Sequence, residues 1–176
     1  MADIQAKTIQ NSDLHKPGPG ARDAFALKYD IGIIDATHEH RRISLMARYI
    51  LGIIAAYLHA HPRGYLSGDK MAQAAACDRS TVFRAVNELE AVGYLDVDRR
   101  DKCNRYHVCE WVKHLDKIWV NPALVRDDGL SICQAVFVSY AKFRQGDNDA
   151  AWFMYREPAK ALGVSYHTIA TVATSE

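Results

Sequence analysis

Between Met71 and Tyr94 the chain reads MAQAAACDRSTVFRAVNELEAVGY, and at Tyr94 its apolar spacing changes from three or four residues to two. That change leaves few folds open, because one stretch must form two helices joined by a tight turn and the next an extended strand. Met71, Ala72 and Ala75 make the inner face of the first helix, and Asp78 is placed to cap the second by accepting its orphan N–H groups. Val82, Ala85, Val86 and Leu89 then recur as one apolar stripe, which turns Arg79, Ser80, Arg84 and Asn87 toward solvent. Gly93 suits the positive φ that ends such a helix. Beyond it Leu95 and Val97 alternate with Asp96 and Asp98, the pattern of a strand with one buried face.

The flanking residues extend this unit over 23–110. Ile43, Met46, Ile50, Ile53, Ile54 and Tyr57 predict a broad-faced supporting helix over 41–59, and HPRG ends it. Tyr65 and Leu66 fit a short first strand, and Ser67 fits the N-cap of the helix that carries Met71. Strands over 94–99 and 105–109 flank the polar turn RDKCN, so Arg99, Arg100, Lys102 and Arg105 converge on a hairpin tip whose charge Asp96, Asp98 and Asp101 dilute. Residues 1–22, with KPGPGAR, read as a flexible N-terminal arm, and 25–34 as a short extended segment. Residues 111–128, with a turn at Asn121–Pro122, read as a linker.

A shift of 87 residues lays ISLMARYILGIIAAYL, from Ile43, on LSICQAVFVSYAKFRQ, from Leu130, without gaps. It also places Ala72 on Ala159, Cys77 on Val164, Asp78 on Ser165, Thr81 on Thr168 and Val82 on Ile169. Residues 129–176 therefore read as a second copy of the helix pair, with Gly163 at the turn position that Ala76 fills in the first. No second wing follows within the sequence, and the outer positions Tyr166, His167, Thr168 and Thr171 carry no Lys or Arg.

Composition narrows the classes. A net charge of +1 argues against indiscriminate coating of nucleic acid, so any DNA contact must come from a local cluster of cations. The longest apolar run, Ile50 to Leu58, is too short to span a bilayer, and MADIQAK lacks the basic and apolar regions of a signal peptide, so a cytoplasmic protein without membrane contact is expected. Cys77, Cys103, Cys109 and His114 lack the paired spacing of zinc ligands, Cys77 reads as a core residue, and no metal or other cofactor is implied. There is no GxxxxGK[ST], GxSxG or HExxH, and Glu88 and Glu90 do not face one another, so no enzyme is expected. HEHRR at 38–42 suits solvation at a helix start.

Two helices, a tight turn and a basic hairpin are the parts of a winged helix-turn-helix, whose recognition helix must offer polar side chains to base edges in the major groove. Arg79, Ser80, Arg84 and Asn87 meet that demand, since Arg can bind guanine and Asn adenine through two hydrogen bonds each. Phe83 would reach a thymine methyl, and Ser67 with Lys70 would lie near the backbone. The fold class expected is mainly α with a small β-wing, a tandem helix-turn-helix with its second copy wingless.

LSGDKMAQAAACDRSTVFRAVNELEAVGYL resembles the winged helix-turn-helix domains of plasmid and phage replication proteins, and KIWVNPALV is similar to the stretch after the wing in some plasmid initiators. The resemblance implies binding to double-stranded DNA at an origin, with Arg79, Ser80, Thr81, Arg84 and Asn87 facing the groove. Two departures stand against it: Ala76 replaces the usual turn glycine, and the second unit lacks a wing and a basic face. The same fold serves transcriptional repressors and protein-interaction modules, so all three functions stay open. A homodimer is expected, with the second unit available for protein partners.

Overall fold

The computed structural model describes residues 31–34, 43–62, 65–99, 104–148 and 153–174. The N-terminal arm, the HEHRR cluster, Arg100, Lys102 and Cys103 lie outside the described residues. Within them the chain is mainly helical with two small antiparallel strand pairs. The order is β1 (Ile31–Ile34), α1 (Leu45–Ala60), α2 (Gly68–Ala74), α3 (Arg79–Ala91), β2 (Leu95–Asp98), β3 (Arg105–Val108), α4 (Glu110–Lys113), β4 (Lys117–Val120), α5 (Ala123–Arg126), α6 (Ile132–Gln145), α7 (Arg156–Leu162) and α8 (Tyr166–Thr174). No helix among the described residues is long and apolar enough to cross a membrane.

Helix α1 forms the centre, with Ile50, Ile53 and Ile54 fully buried and α3, β1 and α6 packed around it. It starts at Leu45 rather than Arg41, because the Ser44 hydroxyl accepts the Ala47 N–H at 3.1 Å and so fixes the first turn. Gly52 lets α1 lie directly on β1: a Cβ there would come within 2.9 Å of the Gly32 carbonyl oxygen. Against α1 rests the stripe Val82, Ala85, Val86 and Leu89 of α3, each at most 3% exposed, as the spacing predicts. Met71, Ala74 and Ala75 of the α2 end complete that layer, with Cys77 half-buried against it.

Strands β2 and β3 pair in the expected hairpin, with Leu95 opposite Val108 and Asp98 opposite Arg105. Tyr65 and Leu66, by contrast, form no strand. Side chains hold that segment instead of a ladder: the Tyr57 hydroxyl donates to the Tyr65 carbonyl at 3.0 Å, Arg105 donates to the Tyr65 hydroxyl at 2.6 Å, and Leu66 is buried.

Residues 111–128 do more than connect. They contain most of α4 and all of β4 and α5, and β4 pairs antiparallel with β1, Ile31 opposite Val120 and Ile33 opposite Ile118. The pairing buries Ile31, Ile33 and Val120 completely, which ties the start of the described chain to the middle of it and packs β4 on α6. Apolar burial of this kind, about 25 cal/mol per Å² removed from water, is what makes the segment part of the core.

Several backbone features recur at a separation of 87 residues. Leu45 and Arg79 open α1 and α3, and Ile132 and Tyr166 open α6 and α8 at that separation. Ser44 and Ser131 both cap their helices through the side chain. At the first turn Cys77 N–H bonds the Ala72 carbonyl and Ala76 N–H the Gln73 carbonyl; at the second Val164 N–H bonds that of Ala159 and Gly163 N–H that of Lys160. Ala76 has φ +48° and Gly163 φ +63°, so both turns use the left-handed conformation. A buried side chain also bonds one half to the other: Arg48 of α1, 1% exposed, donates to the Leu162 carbonyl at the end of α7.

Candidate nucleic-acid interface

The outer surface of α3 is set by its cap and its stripe. Asp78 accepts the Thr81 N–H at 2.8 Å, the Ser80 hydroxyl at 2.5 Å and the Thr81 hydroxyl at 2.7 Å. Those Ser80 and Thr81 hydrogen bonds hold its carboxyl far below the usual range, so it stays charged. With the buried stripe facing α1, the solvent side of α3 presents Arg79, Ser80, Phe83, Arg84 and Asn87, all exposed, and Thr81 half-buried beside them.

The expected contact residues divide by what already engages them. The hydroxyl protons of Ser80 and Thr81 go to Asp78, so these residues shape the helix start rather than donate outward. Arg84 donates to the Thr81 hydroxyl at 2.9 Å, an uncharged partner that leaves its positive charge uncompensated by that bond. Arg79 lies 3.5 Å from Asp69 in an ion pair with side chains 60% and 73% exposed, a geometry that contributes little. Glu88, four residues after Arg84 and its natural carboxylate partner on a bare helix, turns instead to α1, where it accepts the Ser44 N–H at 2.5 Å and the Ser44 hydroxyl at 2.7 Å. That contact draws Glu88 away from Arg84 and ties α3 to the supporting helix.

The remaining positions are less uniform. Ser67 caps α2 by accepting the Lys70 N–H at 3.2 Å, and both side chains are exposed. Arg99 makes two 2.6 Å bonds to Glu90 at the last turn of α3, which lower the Glu90 carboxyl below its ordinary value and engage this cation within the fold. Arg105, the first residue of β3 and opposite Asp98 at the turn end of the hairpin ladder, has its guanidinium carbon 5.2 Å from the Tyr65 ring centre. Tyr65 and Asp69 are neighbours of this surface that sequence spacing does not single out, because both join it from loops and helix starts outside α3.

The second unit presents a different surface. Tyr166, His167, Thr168 and Thr171 are exposed on α8, but the Thr168 hydroxyl shares a 2.8 Å bond with Ser165 and the Thr171 hydroxyl donates to the His167 carbonyl. Around them Tyr166 is 54%, Met154 73% and Phe143 78% exposed, so this end of the molecule offers apolar and aromatic surface. No protein-family model, curated protein or solved structure matches the chain.

Proposed function

We propose that the chain is a sequence-specific double-stranded DNA-binding protein, built as a tandem helix-turn-helix whose first unit is winged. In this reading α2, the turn at Ala76 and α3 are the helix-turn-helix, α3 enters the major groove, and the β2–β3 hairpin is the wing. The observation that carries it is the division of α3, in which a fully apolar stripe is buried while Arg79, Arg84 and Asn87 share the exposed face with no carboxylate of α3 drawn to them. Side chains of this kind on a rigid helix are what direct base readout requires.

The process proposed is replication initiation or copy control of a plasmid or other mobile element, following the resemblance of the residues 66–95 to such proteins; transcriptional regulation is the runner-up. The second unit is assigned to protein contact, homodimerisation included, since its outer helix carries no cation and its threonine hydroxyls are bound internally. A mobility-shift titration with random duplex, followed by binding-site selection, tests the DNA reading: salt-sensitive binding supports it, and no binding at low salt overturns it. Footprinting on DNA flanking the gene then separates the processes, direct repeats supporting initiation and a palindrome over a promoter supporting regulation.

A further inference from the structure

We infer that Phe83 is a positioning residue whose ring aims Arg79 at DNA, with Gly68 leaving the space that the ring and the arginine stem occupy. The inference rests on the DNA-binding reading above. Phe83 is 36% exposed on the solvent side of α3, where an aromatic ring has no core to fill. It lies one helical turn after Arg79, whose guanidinium carbon sits 5.2 Å from the ring centre. A Cβ on Gly68, the first residue of α2, would meet Phe83 Cζ at 3.4 Å and Arg79 Nε at 3.5 Å. Ring, arginine and the bare backbone of Gly68 are therefore one packed group at the place where α2 and α3 begin side by side.

Stacking restrains the plane of a guanidinium while leaving its in-plane N–H donors available, which a carboxylate partner does not. Among the described residues the carboxylate beside Arg79 is that of Asp69, 3.5 Å from Nη1. Arg84 is restrained differently, through Thr81. Phe83 thus fixes the direction of the first cation of α3 without consuming the hydrogen bonds that would recognise a guanine edge. It acts through Arg79 rather than on a base.

The test uses the duplex that the full-length protein selects from a randomised pool. Affinity for that duplex and for its single base-pair variants is measured for the wild type, Arg79→Ala, Phe83→Ala, Phe83→Leu, Phe83→Tyr, Gly68→Val and the double variant Phe83→Ala/Arg79→Ala, with thermal unfolding recorded for each. Phe83→Ala and Phe83→Leu are expected to weaken selected-site binding by about two- to fivefold, the range of an exposed stack. Phe83→Tyr restores it, Gly68→Val reproduces the loss, and Phe83→Ala adds nothing once Arg79 is alanine. The inference is overturned when Phe83→Leu binds as the wild type does, or when Phe83→Ala costs as much without Arg79 as with it, which would mean that the ring touches DNA itself. If the wild type selects no sequence, the DNA reading fails, and that result precedes any variant.

Discussion

The turn before α3 gives a stability prediction with a built-in control. Ala76 holds φ +48° and Gly163, 87 residues later, holds φ +63° in the same pattern of backbone bonds. Both residues are exposed, so exchanging Ala and Gly changes no buried area. For an L-residue the left-handed conformation costs about 1–2 kcal/mol through the clash of Cβ with the following carbonyl. Ala76→Gly removes that cost but adds back about 0.4–1 kcal/mol of backbone entropy in the unfolded chain. The difference leaves a net gain of about 0.8 kcal/mol, or about 2–3 °C in melting temperature for a chain of this size.

Gly163→Ala should lose about the same amount by the reverse argument. Urea unfolding of the two single variants beside the wild type measures both, with Ala76→Asn falling between Ala and Gly and Ala76→Val below the wild type because a β-branched residue tolerates positive φ least. The m-value should stay constant, since no surface is exposed or hidden by the change. A lower midpoint for Ala76→Gly would refute the reasoning, because it would mean that the turn carries no strain and that flexibility in the unfolded chain dominates.

Three further outcomes are expected. Arg48→Met removes a buried charged donor from the Leu162 carbonyl and should cost about 2 kcal/mol, with amide-exchange protection falling more in α7 and α8 than in α3; an even loss across the chain would contradict the clamp. Asp78 has a carboxyl held far below its unfolded value, so its contribution to stability is complete above the ordinary carboxylate range and is lost as pH falls toward the folded value; Asp78→Asn should flatten the acid limb of the stability curve, and an unchanged limb would count against the cap. In binding assays Arg84→Ala should abolish base preference at one position, about 1–3 kcal/mol, whereas Lys102→Ala should weaken all duplexes alike and reduce the salt slope by about one unit; equal effects of both on selected and random DNA would oppose the division between reading and anchoring residues.

What the sequence discloses and what it hides follows the range of the interaction. The α3 stripe, the Asp78 and Ser67 caps, Gly93 in its positive φ and the left-handed Ala76 are all decided within a few residues, and the spacing of the chain predicts them. The Ser131–Gln134 capping box belongs to the same class, and the S-x-x-Q pattern marks it, although apolar spacing alone starts that helix at Leu130. Contacts across the fold have no such local sign. Glu88 on a helix face with Arg84 four residues before it reads as an ion pair, and only the approach of α1 shows that it belongs to Ser44. Arg99 reads as a wing-tip cation until the hairpin brings it to Glu90, and β4 reads as linker until β1 lies beside it.

The same distinction explains how two stretches whose helix starts and turn recur at 87 residues differ at their surfaces. The elements that recur at 87 residues are local: serine caps, a left-handed turn, and an inward Val82 or Ile169. Apart from the Ser67 cap of α2, which α7 lacks, the elements that do not recur are reached through tertiary contact or solvent. Arg48 clamps the end of α7, while its counterpart Ala135 is a fully buried small residue, so the bond between the halves runs one way. Arg79 corresponds to Tyr166, which leans on Tyr155 with ring centres 6.0 Å apart, so an aromatic side chain stands where the first unit has its stacked cation. A repeat kept by local backbone rules leaves its outer face able to change chemistry at little cost to the fold, and that freedom is the physical basis for assigning DNA to one copy and protein contact to the other.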